Sequence, residues 1–194
     1  MRILLPSLAL LAACATGDSA ARDTLAVGDT TTPAAADQGC VGDGAVVTGD
    51  RAGGVRLGMS AAALREACAV SDTTFTLGEG MTERGLATTV AGARVVALLG
   101  AGDSVTRIMV TAPGLATGGG IAVGSDMAAL RAAHAAPCTL VGEGRIVAAS
   151  AALQGVSFAT TADYATFATN RTAPLPDTAH VTEILVHGER VCGG

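Results

Sequence analysis

Two stretches of this 194-residue chain repeat one another, and the repetition limits its fold more than any other feature. Gly54-Val55-Arg56-Leu57-Gly58-Met59-Ser60 precedes a short helical segment with Leu64, Ala67 and Cys68. Further on, Gly120-Ile121-Ala122-Val123-Gly124-Ser125-Asp126 precedes Leu130, Ala133 and His134. Ser60 and Asp126 stand at N-cap positions, where a side-chain oxygen accepts a hydrogen bond from the first helical turn. Apolar residues spaced three and four apart give each helix one narrow buried face. Pro137 stops the second helix from running on.

The likeness continues beyond the helices. Thr76-Leu77-Gly78-Glu79-Gly80 finds an echo in Thr139-Leu140-Val141-Gly142-Glu143-Gly144, with glycines that suit a turn between strands. The β run Val105-Thr106-Arg107-Ile108-Met109-Val110 matches Val181-Thr182-Glu183-Ile184-Leu185-Val186. Arg94 to Leu99 joins the first of these runs through a Gly100-Ala101-Gly102-Asp103 hairpin, and Ile146–Ala149 and Val156–Thr160 supply further strands. The offset between matched blocks grows from 64 at the turns to 76 at the last strand. An insertion of about a dozen residues within Thr161 to His180 accounts for the difference. It carries Tyr164, Phe167, Arg171, Pro174 and Pro176. The expectation is an α+β domain over 46–194, built from two tandem helix-then-antiparallel-strands repeats (about 52–115 and 118–194). These would form one continuous sheet over a shared core.

Composition sets the material of that core. Ring side chains are only Phe75, Phe158, Tyr164 and Phe167, so Leu, Val, Ile and Ala must fill it. All 12 cationic residues are Arg. Without lysine there is neither a P-loop nor a Schiff base. A net charge of −5 with no basic cluster argues against nucleic acid as a partner.

The N-terminus gives an address. Arg2 is a short positive n-region, and Ile3 to Ala13 is an apolar run too short to span a bilayer. It ends in Leu11-Ala12-Ala13-Cys14, which resembles the lipobox of bacterial lipoproteins. The resemblance implies a signal peptide over 1–13, cleavage before Cys14 and acylation of its thiol. With Ala15 rather than aspartate next in line, it also implies, in a host with two membranes, the outer membrane, with the protein on its periplasmic or cell-surface side; a host with a single membrane would display it outside. Cleavage after Ala15 and simple secretion is the alternative. Residues 14–45, rich in Ala, Thr and Asp, read as a flexible tether, whose 25 residues from 15 to 39 would span roughly 25–30 Å.

Removing Cys14 from the five cysteines leaves Cys40, Cys68, Cys138 and Cys192, an even number in a disulfide-permissive compartment. Three connectivities exist. The preferred one, Cys40–Cys68 with Cys138–Cys192, keeps each bridge within one half. There is no CxxC and no metal-ligand spacing, so neither a metal nor a cofactor is expected.

The Gly58-Met59-Ser60 helix start before a small antiparallel sheet, with its counterpart at Gly124-Ser125-Asp126, resembles the outer-membrane assembly lipoproteins of the BamE (SmpA/OmlA) type. It is similar, too, to the two-repeat β-lactamase-inhibitor fold. The resemblance extends over roughly residues 50–192 and implies a protein that binds another protein rather than an enzyme.

Few residues of the chain suggest chemistry. Gly155-Val156-Ser157-Phe158-Ala159 lacks the final glycine of a nucleophile elbow and reads as strand. His134 takes the helix position of Cys68 and reads as a packing residue. His180 and His187 bracket a strand at a spacing that sends them to opposite faces. Glu79 and Glu143 are equivalent by repeat, with Glu83 near the first, and two carboxylates brought together could serve as acid and base. Gly118-Gly119-Gly120 lacks phosphate-cradle spacing. The expectation is therefore a membrane-anchored, non-catalytic protein-binding or assembly module with an unidentified protein partner. Alternatives are a secreted inhibitor of an extracellular enzyme presenting the aromatic insertion, and last a hydrolase using Glu79 and Glu143.

Overall fold

The computed structural model describes residues 40–42, 44–76, 80–134, 137–142, 144–170 and 173–192. The signal peptide, Cys14, residues 15–39 of the tether, Glu79, Glu143 and Arg171 lie outside the described residues.

The strands are β1 (Val46–Thr48), β2 (Arg51–Ala52), β3 (Val55–Arg56), β4 (Ser71–Thr76), β5 (Thr82–Val90), β6 (Ala93–Leu99), β7 (Val105–Val110), β8 (Ala116–Thr117), β9 (Cys138–Gly142), β10 (Arg145–Ala149), β11 (Val156–Thr160) and β12 (Val181–Val186). Three short helices, α1 (Ala61–Ala67), α2 (Met127–Ala133) and α3 (Tyr164–Thr169), are found among the described residues. A four-stranded sheet has the order β3-β2-β1-β8. Within it, β1 and β8 run parallel. The eight-stranded sheet has the order β4-β5-β6-β7-β12-β11-β10-β9, all antiparallel.

This corrects the expected fold class. The chain is mostly β with two sheets. It is not an α+β pair of helix-then-strand repeats forming a single sheet. The physical reason lies in the glycine-rich stretch from 46 to 56. Its strands are two or three residues long, too short to show a period-two pattern, yet tight turns fold them into a meander that β8 completes. The helices, six or seven residues each, are under two turns and contribute few residues.

Around the helix starts, the matched blocks make matched hydrogen bonds. Gly58 N–H donates to Val105 O (2.7 Å), Val105 N–H to Met59 O (2.8 Å) and Ala61 N–H to Asp103 O (2.8 Å). Their counterparts are Gly124 to Val181 (2.8 Å), Val181 to Ser125 (2.8 Å) and Met127 to Ala179 (2.9 Å). Gly58 and Gly124 take φ of 78° and 94°, a conformation that a Cβ disfavours. Ser60 Oγ accepts from Ala63 N–H at 3.1 Å and Asp126 Oδ1 from Ala129 N–H at 2.7 Å, so both caps are made.

Alternation along the long strands divides the large sheet into two faces. One face carries Leu86, Val95, Ile108, Val110, Ile146, Phe158, Ile184 and Val186 into the main core. Leu64 of α1, Leu130 of α2, Phe167 of α3 and Val47 and Val55 of the small sheet cover it. The other face carries a second cluster of Ala87, Val96, Leu98 and Met109 with Phe75 and Leu185, drawn only from strands of this sheet. Twist accumulated over eight strands, with register shifts at Leu98/Leu99 and Ala159/Thr160, curls the sheet around that second face. The curl brings Phe75 of edge strand β4 under the Arg145 guanidinium of β10, 5.7 Å from the ring centroid, although five strands separate them in the sheet.

Disulfides join Cys40 to Cys68 and Cys138 to Cys192. Cys40 is buried in the main core, so the packed part of the chain reaches into the stretch read as tether. The insertion is not a simple aromatic loop: Asp163 caps α3 within it, Phe167 and Leu175 are buried, and Tyr164 is exposed.

Candidate functional site

The inside of the curl is a trough of about 470 Å³. Its lining comes from Thr106, Arg107 and Met109 of β7, Glu183 and Leu185 of β12, Arg145 and Val147 of β10, Leu140 and Val141 of β9, and Phe75 of β4. His187, Glu189 and Val191 of the C-terminal tail complete it. The tail is held by Gly155, whose N–H donates to Glu189 O and whose carbonyl accepts from His187 N–H, and by the Cys138–Cys192 bridge to β9.

Its charged groups are positioned rather than loose. Arg145 Nη1 lies 3.1 Å from Glu183 Oε1, with side chains 36% and 11% exposed. Burial pushes the Glu183 carboxyl up from its ordinary value, while Arg145, and more weakly Arg107, pull it back down. Stacking on Phe75 fixes the other side of the Arg145 guanidinium.

Ser157 and His187 are 2.7 Å apart at Oγ and Nε2, a spacing at which a histidine can activate a serine. The tautomer argues otherwise. Glu189 N–H donates to Nδ1 at 3.1 Å, so that nitrogen must be the unprotonated one and Nε2 carries the proton of the neutral ring. Nε2–H therefore donates to Ser157 Oγ and cannot take its proton. Burial holds His187 below its ordinary value, with Glu189 opposing and Arg107 reinforcing the shift. Ser157 is itself buried on β11, as the strand reading of that segment requires. The pair ties the tail to the sheet and is not an activated nucleophile.

Neither a protein-family model nor a curated protein matches this chain. Among solved structures, the uncharacterized protein yfeY from Escherichia coli is similar, at 13% identity and a TM-score of 0.44, covering 68% of this chain and 90% of that one. A likeness of that degree says nothing about activity.

Of the residues singled out in the sequence, the four downstream cysteines are joined as two bridges. His134 is buried beside Phe158 (6.4 Å between ring centroids), and its Nε2 has no partner among the described residues. His180 makes a bridge with Asp126 at the start of α2, away from the trough lining that includes His187. Among the described residues, no group of three or more His, Cys, Asp or Glu could hold a metal ion, and no helix is long and apolar enough to cross a membrane.

Sequence reasoning missed Arg145, Glu183, Arg107 and Phe75 as members of one site. A signal was present: the repeated strand places Arg107 and Glu183 at matched positions, each preceded by a threonine and followed by an isoleucine of the main core. A second concavity of similar volume, lined by Arg65, Asp72, Thr73, Thr74, Arg84 and Asp103 with Leu99 as its one large apolar side chain, has its charges engaged as Arg65–Asp72 and Arg84–Asp103 pairs.

Proposed function

We propose that this chain is a membrane-anchored lipoprotein, held at the outer membrane through acyl chains on Cys14, that acts as a non-catalytic protein-binding or assembly module. The trough is its binding surface. The supporting observation is a concave sheet face with an apolar floor and a fixed polar set. Met109, Leu185, Val147, Leu140 and Phe75 offer apolar area, and Arg107, Arg145, Glu183 and Glu189 supply the polar groups that orient a ligand. The Leu11-Ala12-Ala13-Cys14 sequence supports the anchor, since two or more acyl chains suffice for stable attachment.

A photo-crosslinking residue introduced at Val147 in intact cells tests the proposal. It should give a discrete protein adduct in the membrane fraction. The same residue at exposed Glu66 on α1 should give none. Identical adducts from both positions, or none from Val147, would refute the assignment of the trough.

A further inference from the structure

We infer that the trough receives the carboxyl-terminal end of an extended apolar peptide, with the peptide's α-carboxylate on Arg107. The inference rests on the protein-binding reading of the same site. Arg145 is held by Glu183, whereas Arg107, half-buried on β7, has no ion pair or hydrogen bond among the described residues. The trough thus offers one guanidinium with no hydrogen-bond partner among the described residues, its charge acting on Glu183 only at longer range, and its planar fork matches a carboxylate. Met109 on the same strand and Leu185 on the paired strand β12 are apolar members of the same face, which favours an anion attached to an apolar body.

Two further observations narrow that body. Thr106, Glu183 and Glu189 are interspersed among the apolar groups. A hydrocarbon chain would strip water from these polar groups and return no hydrogen bond, whereas peptide N–H groups can donate to the carboxylates and the hydroxyl. The trough is also bounded. Arg145 reaches from β10 to Phe75 on β4, and the bridged tail carries Glu189 and Val191 to the lining. A segment passing straight through would have to clear both obstacles, which an incoming chain end need not do. A volume near 470 Å³ accommodates only a few residues, as an end would present.

The test uses the full-length mature lipoprotein in detergent. Its probes are two pools of fluorescent octapeptides randomised over Ala, Val, Leu and Thr, one with free carboxyl termini and one amidated. The free-acid pool should bind about tenfold more tightly, the worth of a charge-assisted pair in a half-buried site. Arg107→Gln should remove the difference with an unchanged unfolding temperature, and Arg107→Lys should restore part of it. Equal binding of the pools, no binding of either, an undiminished difference in Arg107→Gln, or dodecanoate competing as well as the free acid would overturn the inference. If Val147 crosslinks a protein while the pools bind equally, only this inference falls. If the acid pool binds selectively and no protein crosslinks, the protein-binding reading falls instead.

Discussion

Loop length and burial make opposite forecasts for the two disulfides, so replacing each pair with alanine tests how they act. Cys138–Cys192 closes a span of 54 residues and Cys40–Cys68 one of 28. Restricting the unfolded chain alone, these loops contribute about 4.2 and 3.6 kcal/mol. The local environment reverses that order. Cys40 and Cys68 are 1% and 2% exposed, and Cys40 Sγ lies 3.5 Å from Thr88 Oγ1. Alanine at both sites leaves a void costing about 1–2 kcal/mol more, for a total near 5 kcal/mol. Cys138 and Cys192 are half-buried, and the tail beyond β12 can detach while the sheet stays folded, so about 4.2 kcal/mol is a ceiling there. Urea unfolding without reductant, extrapolated to water, measures both. Cys40→Ala with Cys68→Ala should be the more destabilising double variant. A larger loss for Cys138→Ala with Cys192→Ala would refute the packing argument, and an inner-bridge loss below about 2 kcal/mol would refute the unfolded-chain argument as well.

Glu183 titrates above its ordinary value of 4.5 because it is buried, so just above that pH the native state keeps a proton that the unfolded chain has released. Its contribution is fully present below 4.5 and is lost as pH rises through the raised value; Glu183→Gln should flatten this part of the curve of unfolding temperature against pH. His187 lies below its ordinary 6.5, so its contribution is present above 6.5 and is lost as pH falls through the lowered value. His187→Gln should remove that acid-side loss from the same curve. Ser60→Ala and Asp126→Ala should each cost about 1 kcal/mol in urea unfolding, and the double variant should show their sum, because the caps serve different helices.

The sequence exposes what is local and repeated. Glycine followed by a capping residue and a short apolar stripe marks α1 and α2, and the parity of the cysteines points to two bridges. Residues 46 to 56 were opaque because strands of two or three residues carry no periodic signal, and β8, the parallel partner of β1, lies far along the chain. The trough was hidden for a different reason. Alternation says that Arg107 and Met109 face away from Ile108, but not that no helix or second sheet among the described residues covers this side. Nor does local sequence show that the sheet curls until Phe75 meets Arg145. Ser157 and His187 are separately unremarkable in the chain, and only the tail's return past Gly155 pairs them.

Sedimentation of the lipoprotein extracted from membranes in mild detergent, wild type beside Leu140→Glu, reads out whether a protein occupies the trough. Leu140 lies on edge strand β9 and is only partly buried, so the variant should fold with a similar unfolding temperature. The wild type should sediment as a complex larger than the chain in its micelle, and Leu140→Glu as the chain alone. Equal sedimentation of two folded proteins would contradict it.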